Sequence, residues 1–503
     1  MDMISWDHVV YALSQLANPN VLMWLLIGTI AGLIFGALPG VTATAGIAIL
    51  TPFTFRLGFE QAMALLLGAY CSGYFAGSFP AILINTPGTP ANAATGFDGY
   101  PMAQKGEANR AMSLATFCSF IGGIFSALVL GLVAPSLAKI ALSFTSVEYF
   151  SLAMLGLVCV AGVSGPSLLK GIAAGFMGVL LSTFGNDPIA GTMRFDFGMV
   201  ELQGGIPLLP ALIGLFAITE LLTKAASADV ATTTLPGQNP FRLVWLFGII
   251  ARNKWLTFKS AVIGTIVGVL PGTGPIIASW ISYGEAVRNA KPEDQYGKGD
   301  EKGVIACETS NNAVTGGALV PLLTVGIPGD PVTAVLIGAL LFQGIDPGPF
   351  FIRDNGDKFM HILVMLMAAN VLLLIVGLAS RRLLPYLVQV PTHTLVPVVA
   401  VLSAAGGYAV NATGFEVSFI IIAGLIGYFM MAFGIPVGPI LLGLVLGPYV
   451  EENLRNGLAA NNENWTVFFT RPISAGLLLC MIGLVYFFLR TRRRAAGNLA
   501  HQG

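Results

Sequence analysis

The sequence predicts an all-α polytopic membrane protein made of two inverted structural repeats, with Pro-Gly-broken helices or re-entrant hairpins and about 12 transmembrane segments. Three observations predict it: apolar runs of spanning length, Pro-Gly interruptions that recur in the same order, and an uneven placement of basic residues.

The apolar runs come first. The chain has 503 residues, 55% of them hydrophobic and 10% charged, with a mean hydropathy of +0.79. A soluble domain carries about 25% charge. Val21 to Leu38, Ala111 to Ala134, Ile206 to Leu222, Ile362 to Ala379 and Pro472 to Leu489 are each long enough to cross a hydrocarbon layer about 30 Å thick. The start "MDMISWDHVV" lacks the basic region of a cleavable signal peptide, so the first apolar helix is expected to stay.

The interruptions come second. "GLIFGALPG" from Gly32 and "GTIVGVLPG" from Gly264 share Gly, Gly, Pro and Gly at one constant offset: Gly32, Gly36, Pro39 and Gly40 match Gly264, Gly268, Pro271 and Gly272. "FPAILINTPGTP" and "VPLLTVGIPGDP" do the same at a slightly larger offset, matching Pro80, Pro87, Gly88 and Pro90 with Pro321, Pro328, Gly329 and Pro331. The polar loop "AKPEDQYGKGDEKG" in the second half accounts for the difference. Phe184-Gly185 and Phe433-Gly434 continue the pattern more weakly. Paired breaks in corresponding halves point to the central site of a transporter.

The charges come third. "RTRRR" at 490–494 follows the last span, and the linker holds Arg242, Arg252, Lys254 and Lys259, so both are expected on the cytoplasmic side. The N-terminal stretch has Asp2 and Asp7 with no basic residue, which favours the outside. Halves that start on opposite faces are inverted repeats. The resulting division is an N-terminal tail at 1–19, a first repeat at 20–225 and a basic cytoplasmic linker at 226–256. A second repeat follows at 257–455, then a final helix at 456–490 and a basic cytoplasmic tail at 491–503. "FRLVWLFGIIARNKW" in the linker reads as an interfacial helix or a short span.

The breaks carry the candidate chemistry. Proline removes a donor and glycine permits the turn; a positive φ is expected at Gly88 and Gly329. Freed backbone groups in a membrane must face protein or a watery cavity. A half-helix N-terminus can hold a carboxylate, and loose carbonyls with hydroxyls can hold Na⁺. The candidate substrate- or ion-binding residues are Pro39, Gly40, Thr42 and Thr44 at the first break. At the second they are Asn85, Thr86, Pro87, Gly88, Thr89 and Asn92. Pro271, Gly272, Thr273 and Ser279 mark the third. Ser310, Asn311, Asn312, Thr315, Pro328, Gly329, Asp330 and Thr333 surround the fourth. Glu308 and Asp330 are carboxylates at presumed membrane depth, able to bind Na⁺ or carry a proton. The structural alternatives are a loop position for Glu308 and a helix cap for Asp330.

Several classes are excluded or disfavoured. Zero net charge gives no footprint for nucleic acid. The five cysteines lie singly and the four histidines are scattered, so neither a disulfide framework nor a zinc motif is present. "GTGP" is not followed by Gly-Lys-Ser/Thr, and no Gly-x-Ser-x-Gly or His-Glu-x-x-His occurs, so no enzyme is expected. "IPGDP" with Phe97-Asp98 or Phe195-Asp196 faintly suggests an intramembrane aspartyl protease, but the usual Gly-x-Gly-Asp string is absent, since Ile327 and Pro328 occupy the place of its Gly-x. A carboxylate channel or stand-alone carrier remains an alternative.

"GLIFGALPG", "NTPGTPANAATGFDGYPMAQKGEANRAM" and "GVLPGTGPIIASWISYGEAV" resemble the large membrane subunit of the tripartite tricarboxylate transporters over nearly the whole chain; Gly96 to Ala108 is the most specific stretch. The resemblance implies uptake of citrate or other carboxylates across a bacterial inner membrane. It implies a periplasmic solute-binding protein and a small membrane subunit as partners, Na⁺ or H⁺ as coupling ion, and no other cofactor. It carries the family's Pro-Gly motifs onto Pro39, Gly40, Pro87, Gly88, Pro271, Gly272, Pro328 and Gly329. The family is credited with an even number of spans, about twelve, whereas the charge pattern gives an odd one.

Overall fold

The computed structural model describes residues 5–38, 41–165, 167–225, 244–272 and 274–500, with backbone alone for Val163, Thr392 and 491–500. Pro39, Gly40 and Thr273, predicted at the breaks, and most of the linker lie outside the described residues. The first half contains α1 (Trp6–Leu16), α2 (Pro19–Ala37), α3 (Ala43–Leu50), α4 (Phe59–Ala76), α5 (Ser78–Ile84), α6 (Ala93–Gln104), α7 (Ala108–Ala141), α8 (Ser146–Val163) and α9 (Leu168–Ser182). A small hairpin, β1 (Gly185–Asn186) with β2 (Met193–Arg194), follows. Then one helix runs through α10 (Leu208–Leu212), a π-helical segment (Ile213–Ile218) and α11 (Thr219–Ala225).

The second half contains α12 (Val244–Arg252), α13 (Lys254–Val269), α14 (Gly274–Arg288), α15 (Glu301–Val325), α16 (Pro331–Phe342), α17 (Phe351–Asp354), α18 (Gly356–Ser380), α19 (Leu384–Leu387), α20 (Thr392–Asn411), α21 (Gly414–Ala432) and α22 (Val437–Ala459). The short α23 (Val467–Thr470) leads into α24 (Pro472–Ala500). Among the described residues eight helices are long and apolar enough to cross a membrane; three of the five apolar runs fall within them, and Val21 to Leu38 and Ile206 to Leu222 overlap theirs with one and two residues outside. Three shorter apolar helices, Ser146–Gly162, Leu168–Ser182 and Pro331–Phe342, accompany them. Helix α12 has 9 residues, about 14 Å, which is too short to span. The predicted N-terminal tail holds α1, tied down by Tyr11 donating to Glu60 at 2.7 Å. Residue 455 lies inside α22, and the last helix begins at Pro472.

The breaks form at matched positions for matched reasons. Leu38 and Leu270 leave the helix in extended geometry, ψ 117° at each, because a following proline disfavours the helical region. At the second pair, Asn85 (φ 54°) and Gly326 (φ 75°) end their helices in left-handed geometry. The next residues then bond back alike: Thr86 N–H to the Pro80 carbonyl and Ile327 N–H to the Pro321 carbonyl, both at 3.3 Å. Short polar residues reopen the helices. Thr42 caps α3, and Asp330 caps α16.

The glycines set the packing. A side chain on Gly32 would strike Ala69, and one on Gly264 would strike the matched Ser310. Lipid offers no hydrophobic drive between helices, so such close backbone contact is what holds α2 on α4 and α13 on α15. Gly88 packs on the Gly36 carbonyl and Gly77, while Gly329 packs on the Gly268 carbonyl and Ala318. The expectation of positive φ at Gly88 and Gly329 is corrected: neither has it. They are glycine because a neighbouring backbone occupies the place of a Cβ. Positive φ falls instead on Gly272 and Gly326.

The halves interleave. Helix α7 packs on α15 and α18 packs on α4, so each half clasps the inner helix of the other. Gly122 meets the Thr309 carbonyl, Ser126 accepts from Gly316 N–H at 3.2 Å, and Gly377 meets Phe75. Further on, α9 packs on α22 as the π segment packs on α21. Gly443 meets the Gly175 carbonyl, and Gly214 meets the Ile420 carbonyl. This exposes a third repeat pair absent from the sequence reading: "GIPLLPALIG" from Gly205 and "GIPVGPILLG" from Gly434. Its first glycines both have positive φ, 89° and 67°. In the first half the 186–204 loop is inserted just before this motif, and its ends meet where Gly185 approaches Gly205.

Candidate functional site

Two buried clusters form where one half's inner helix meets the other half's break. In the first, Glu308 of α15 is fully buried. Its Oε1 accepts from Asn92 Nδ2 at 3.1 Å and Thr95 Oγ1 at 2.5 Å, both just beyond the Pro87-Gly88 break. Its Oε2 accepts from Ser119 of α7 at 3.1 Å. Thr89 donates to Asn92 Oδ1 at 2.5 Å, which orients the amide. Glu308 thus sits within a 25-residue helix, not in the preceding loop.

In the second cluster, Asp330 opens α16 after the Pro328-Gly329 break. Oδ1 accepts from Thr333 N–H at 2.7 Å and Thr333 Oγ1 at 2.8 Å, so the predicted cap is real. Oδ2 accepts from Tyr70 at 2.6 Å and Tyr74 at 2.9 Å, both on α4 of the other half. The clusters are reciprocal. Thr89 and Asn92 occupy the repeat positions of Asp330 and Thr333, and Tyr70 and Tyr74 those of Asn311 and Thr315.

Asn311 and Asn312 link the clusters. Their amides donate to the Tyr74 and Cys71 carbonyls at 3.1 and 3.2 Å, across the α15–α4 contact. Their Oδ1 atoms have no partner, nor do the buried hydroxyls of Ser279, Ser282 and Thr309. Other predicted residues stand apart. Ser310 and Thr315 bond back to carbonyls of their own helix. Thr86 is partly buried and reaches only the Ile84 carbonyl. Thr44 is buried on α3 away from both clusters' bonds. Thr42 instead meets Glu220 of α11, whose Oε2 accepts from Thr42 N–H at 3.2 Å and Oγ1 at 2.8 Å. A half-helix N-terminus therefore holds a carboxylate, supplied here by the chain itself.

A cavity of about 30 Å³ lies at the second half's breaks, bounded by Gly272, Pro328, Asp330, Val160, Phe216 and Leu441. It has room for about one water, so an organic anion can enter only if the surrounding helices part. Val160 belongs to the α8 end, which approaches the α22 start where Gly165 meets Pro436.

Sequence reasoning missed Tyr70, Tyr74, Thr95, Ser119 and Glu220. The tyrosines and Glu220 had a signal, being polar or ionisable groups inside apolar runs. The only sequence reading of Asp98 was as a possible acid partner for Asp330. Asp98 Oδ1 accepts from Gly297, Gly299 and Asp300 N–H at 2.8, 2.9 and 2.8 Å, and Oδ2 from Tyr283 at 3.0 Å. It docks the polar loop onto α6. Asp98 and Asp330 share no partner, so they form no proton-sharing acid pair of the protease kind. Among the described residues no group of three or more His, Cys, Asp or Glu could hold a metal ion.

A family model described as the tripartite tricarboxylate transporter TctA family matches residues 22–442. An uncharacterized 52.8 kDa protein in the TAR-I ttuC' 3' region of Agrobacterium vitis is 36% identical over 490 residues, covering 97% of each chain. A second uncharacterized protein of that organism, in the TAR-II ttuC' 3' region, is 37% identical over 234 residues, 46% of this chain and 97% of its own. No solved structure matches.

Proposed function

The chain belongs to the tripartite tricarboxylate transporter TctA family, and from that premise we propose that it is the large permease subunit of a binding-protein-dependent secondary transporter importing citrate-like or other organic carboxylates with H⁺ or Na⁺. The observation that carries this reading is the reciprocal pair of carboxylate clusters at the matched breaks. A site shared by two related halves can exchange its exposure when one half shifts against the other. The partners are a periplasmic solute-binding protein and a small membrane subunit, and the location is a bacterial inner membrane.

Coupling follows from charge. Bringing a dianion inward against 100 mV costs about 4.6 kcal/mol, at roughly 2.3 per charge. At least two cations must accompany it to cancel that cost. Citrate and dicarboxylate uptake into proteoliposomes holding all three components tests this under imposed pH and Na⁺ gradients. Uptake that follows either gradient is expected; uptake indifferent to both overturns symport in favour of a channel.

The two repeats are inverted in this proposal, with the C-terminus cytoplasmic. Contacts support the inversion: Gly123 meets Asn370 and Gly131 meets Leu363, so the matched helices α7 and α18 run antiparallel. Single cysteines at Gln104 and Asp354, in a cysteine-free chain, are expected to react with an impermeant maleimide from opposite faces. Labelling from one face makes the repeats parallel.

A further inference from the structure

Glu308 is a buried carboxylate without a counter-charge. It has no exposed surface, and no ion pair among the described residues includes it. Its three bonded neighbours, Asn92, Thr95 and Ser119, are neutral. The titratable side chains nearby are Cys118 on α7 and Cys307 on α15, with Asp98 on α6 acting on Cys307. Tyr74 on α4 is reached through Asn311. None of these brings a positive charge. A charge held in a membrane protein at such a cost marks function, and something must neutralise it when the site is occluded.

The bonding pattern selects the neutralising ion. Oε1 takes an amide N–H from Asn92 and a hydroxyl from Thr95. As assigned, the amide turns its N–H to Oε1 because Thr89 donates to its oxygen. A metal ion at Oε1 would need that amide to flip and the Thr89 and Thr95 hydroxyls to rotate, whereas a proton at Oε2 needs only one hydroxyl to turn. Oε2 meets only the Ser119 hydroxyl. A hydroxyl donates or accepts by rotating about one bond. The ionised carboxylate takes Ser119's hydrogen; the acid gives Ser119 its own. The Asn311 side chain, fully buried, also lies near the Glu308 carboxylate.

We propose that Glu308 carries the coupling proton of this transporter, binding it on Oε2 against Ser119 while Asn92 and Thr95 hold Oε1. This rests on the transporter reading and names its ion. Loading forms one O–H bond at Oε2 with a proton taken from water; release returns that proton to water on the other side. Because Asn92 and Thr95 begin the segment after Pro87-Gly88, loading weakens the two bonds that hold that break from charge-assisted to neutral.

The test uses the proton itself as probe. The full chain in lipid bilayers is titrated and followed by the infrared C=O stretch of a protonated carboxylic acid. A band that disappears in Glu308→Gln, and moves in Ser119→Ala and Glu308→Asp, is expected. An unchanged band in Glu308→Gln, or no such band in the native chain at any pH, overturns the proposal whatever the substrate. In the three-component vesicles, an inward pH gradient should raise citrate uptake several-fold for the native chain and leave Glu308→Gln unchanged. Gradient stimulation that survives in Glu308→Gln overturns the proton role while leaving transport intact. Uptake absent from the native chain under every gradient would instead bring down the transporter reading, and this inference with it. Stimulation by Na⁺ alone, lost in Glu308→Gln, would make Glu308 a metal ligand and overturn the proton assignment.

Discussion

Adding a single methyl group at Gly329 or Gly88 should unseat a break. In Gly329→Ala the new carbon would stand 2.5 Å from the Gly268 carbonyl oxygen and 2.6 Å from Ala318 Cα. In Gly88→Ala it would stand 2.2 Å from the Gly36 carbonyl oxygen and 2.8 Å from Gly77 Cα. Ordinary contact needs about 3.5 Å, so two backbones must separate by roughly 1 Å. No flexible side chain is there to yield. Overpacking costs about 1–3 kcal/mol, and contacts with backbone on both sides belong at the upper end. That is on the order of a hundredfold in the folded-to-unfolded ratio. Gly284→Ala is the control, because nothing lies within 4 Å of its Cβ. Thermal unfolding of purified variants in detergent, with uptake measured alongside, is the assay. Both break variants should melt earlier than the control and transport poorly. Should they match Gly284→Ala in melting and uptake, close backbone approach is not what the glycines serve.

Asp330→Asn removes the charge that two buried phenols address, at about 1.5–3 kcal/mol for each bond weakened; earlier melting and loss of uptake are expected, with Tyr70→Phe and Tyr74→Phe each giving part of the effect, and a native-like Asp330→Asn would dissolve the cluster's importance. The 186–204 insertion should loosen in acid. Backbone N–H groups of Ala190 and Ile189, then Arg455, hold the Asp187 carboxyl below the usual range, and Arg194 does the same for Glu451. Lowered carboxyls stabilise above their unfolded pKa of about 4, and that support is lost as pH falls through the lowered values. Cutting near Phe195 and Phe197, both exposed, should be slow for chymotrypsin at neutral pH and faster in Arg455→Ala, and pepsin should cut there faster as the pH drops well below about 4. Equal cutting rates in native and variant chains would show that the ion cluster does not secure the loop.

The breaks were legible because proline and glycine act on their own backbone. Leu38 and Leu270 turn extended for a reason confined to the next residue, and sequence alone predicts it. The Gly205 and Gly434 motifs were equally local but went unread, because the 186–204 insertion separates Phe184-Gly185 from the rest of its match. The role of Gly88 and Gly329 was misread for a different reason. A positive φ is a property of one residue, whereas a missing Cβ that makes way for Gly36 or Gly268 is a property of two distant ones.

By itself, then, the sequence determined that the chain crosses membranes, that it is duplicated, and where its helices break. Each of these depends on apolar length or on local backbone chemistry, which neighbours in space do not alter. Only the tertiary structure decided which side chains meet. Glu308 finds Asn92, Asp330 finds Tyr70 and Tyr74, and Thr42 finds Glu220, all across long stretches of chain. A helix that is apolar all round carries no amphipathic stripe to say which face turns inward. Here that choice is made by α7 and α18 closing on the opposite half's inner helix, through contacts between backbones that leave no periodic mark on the sequence.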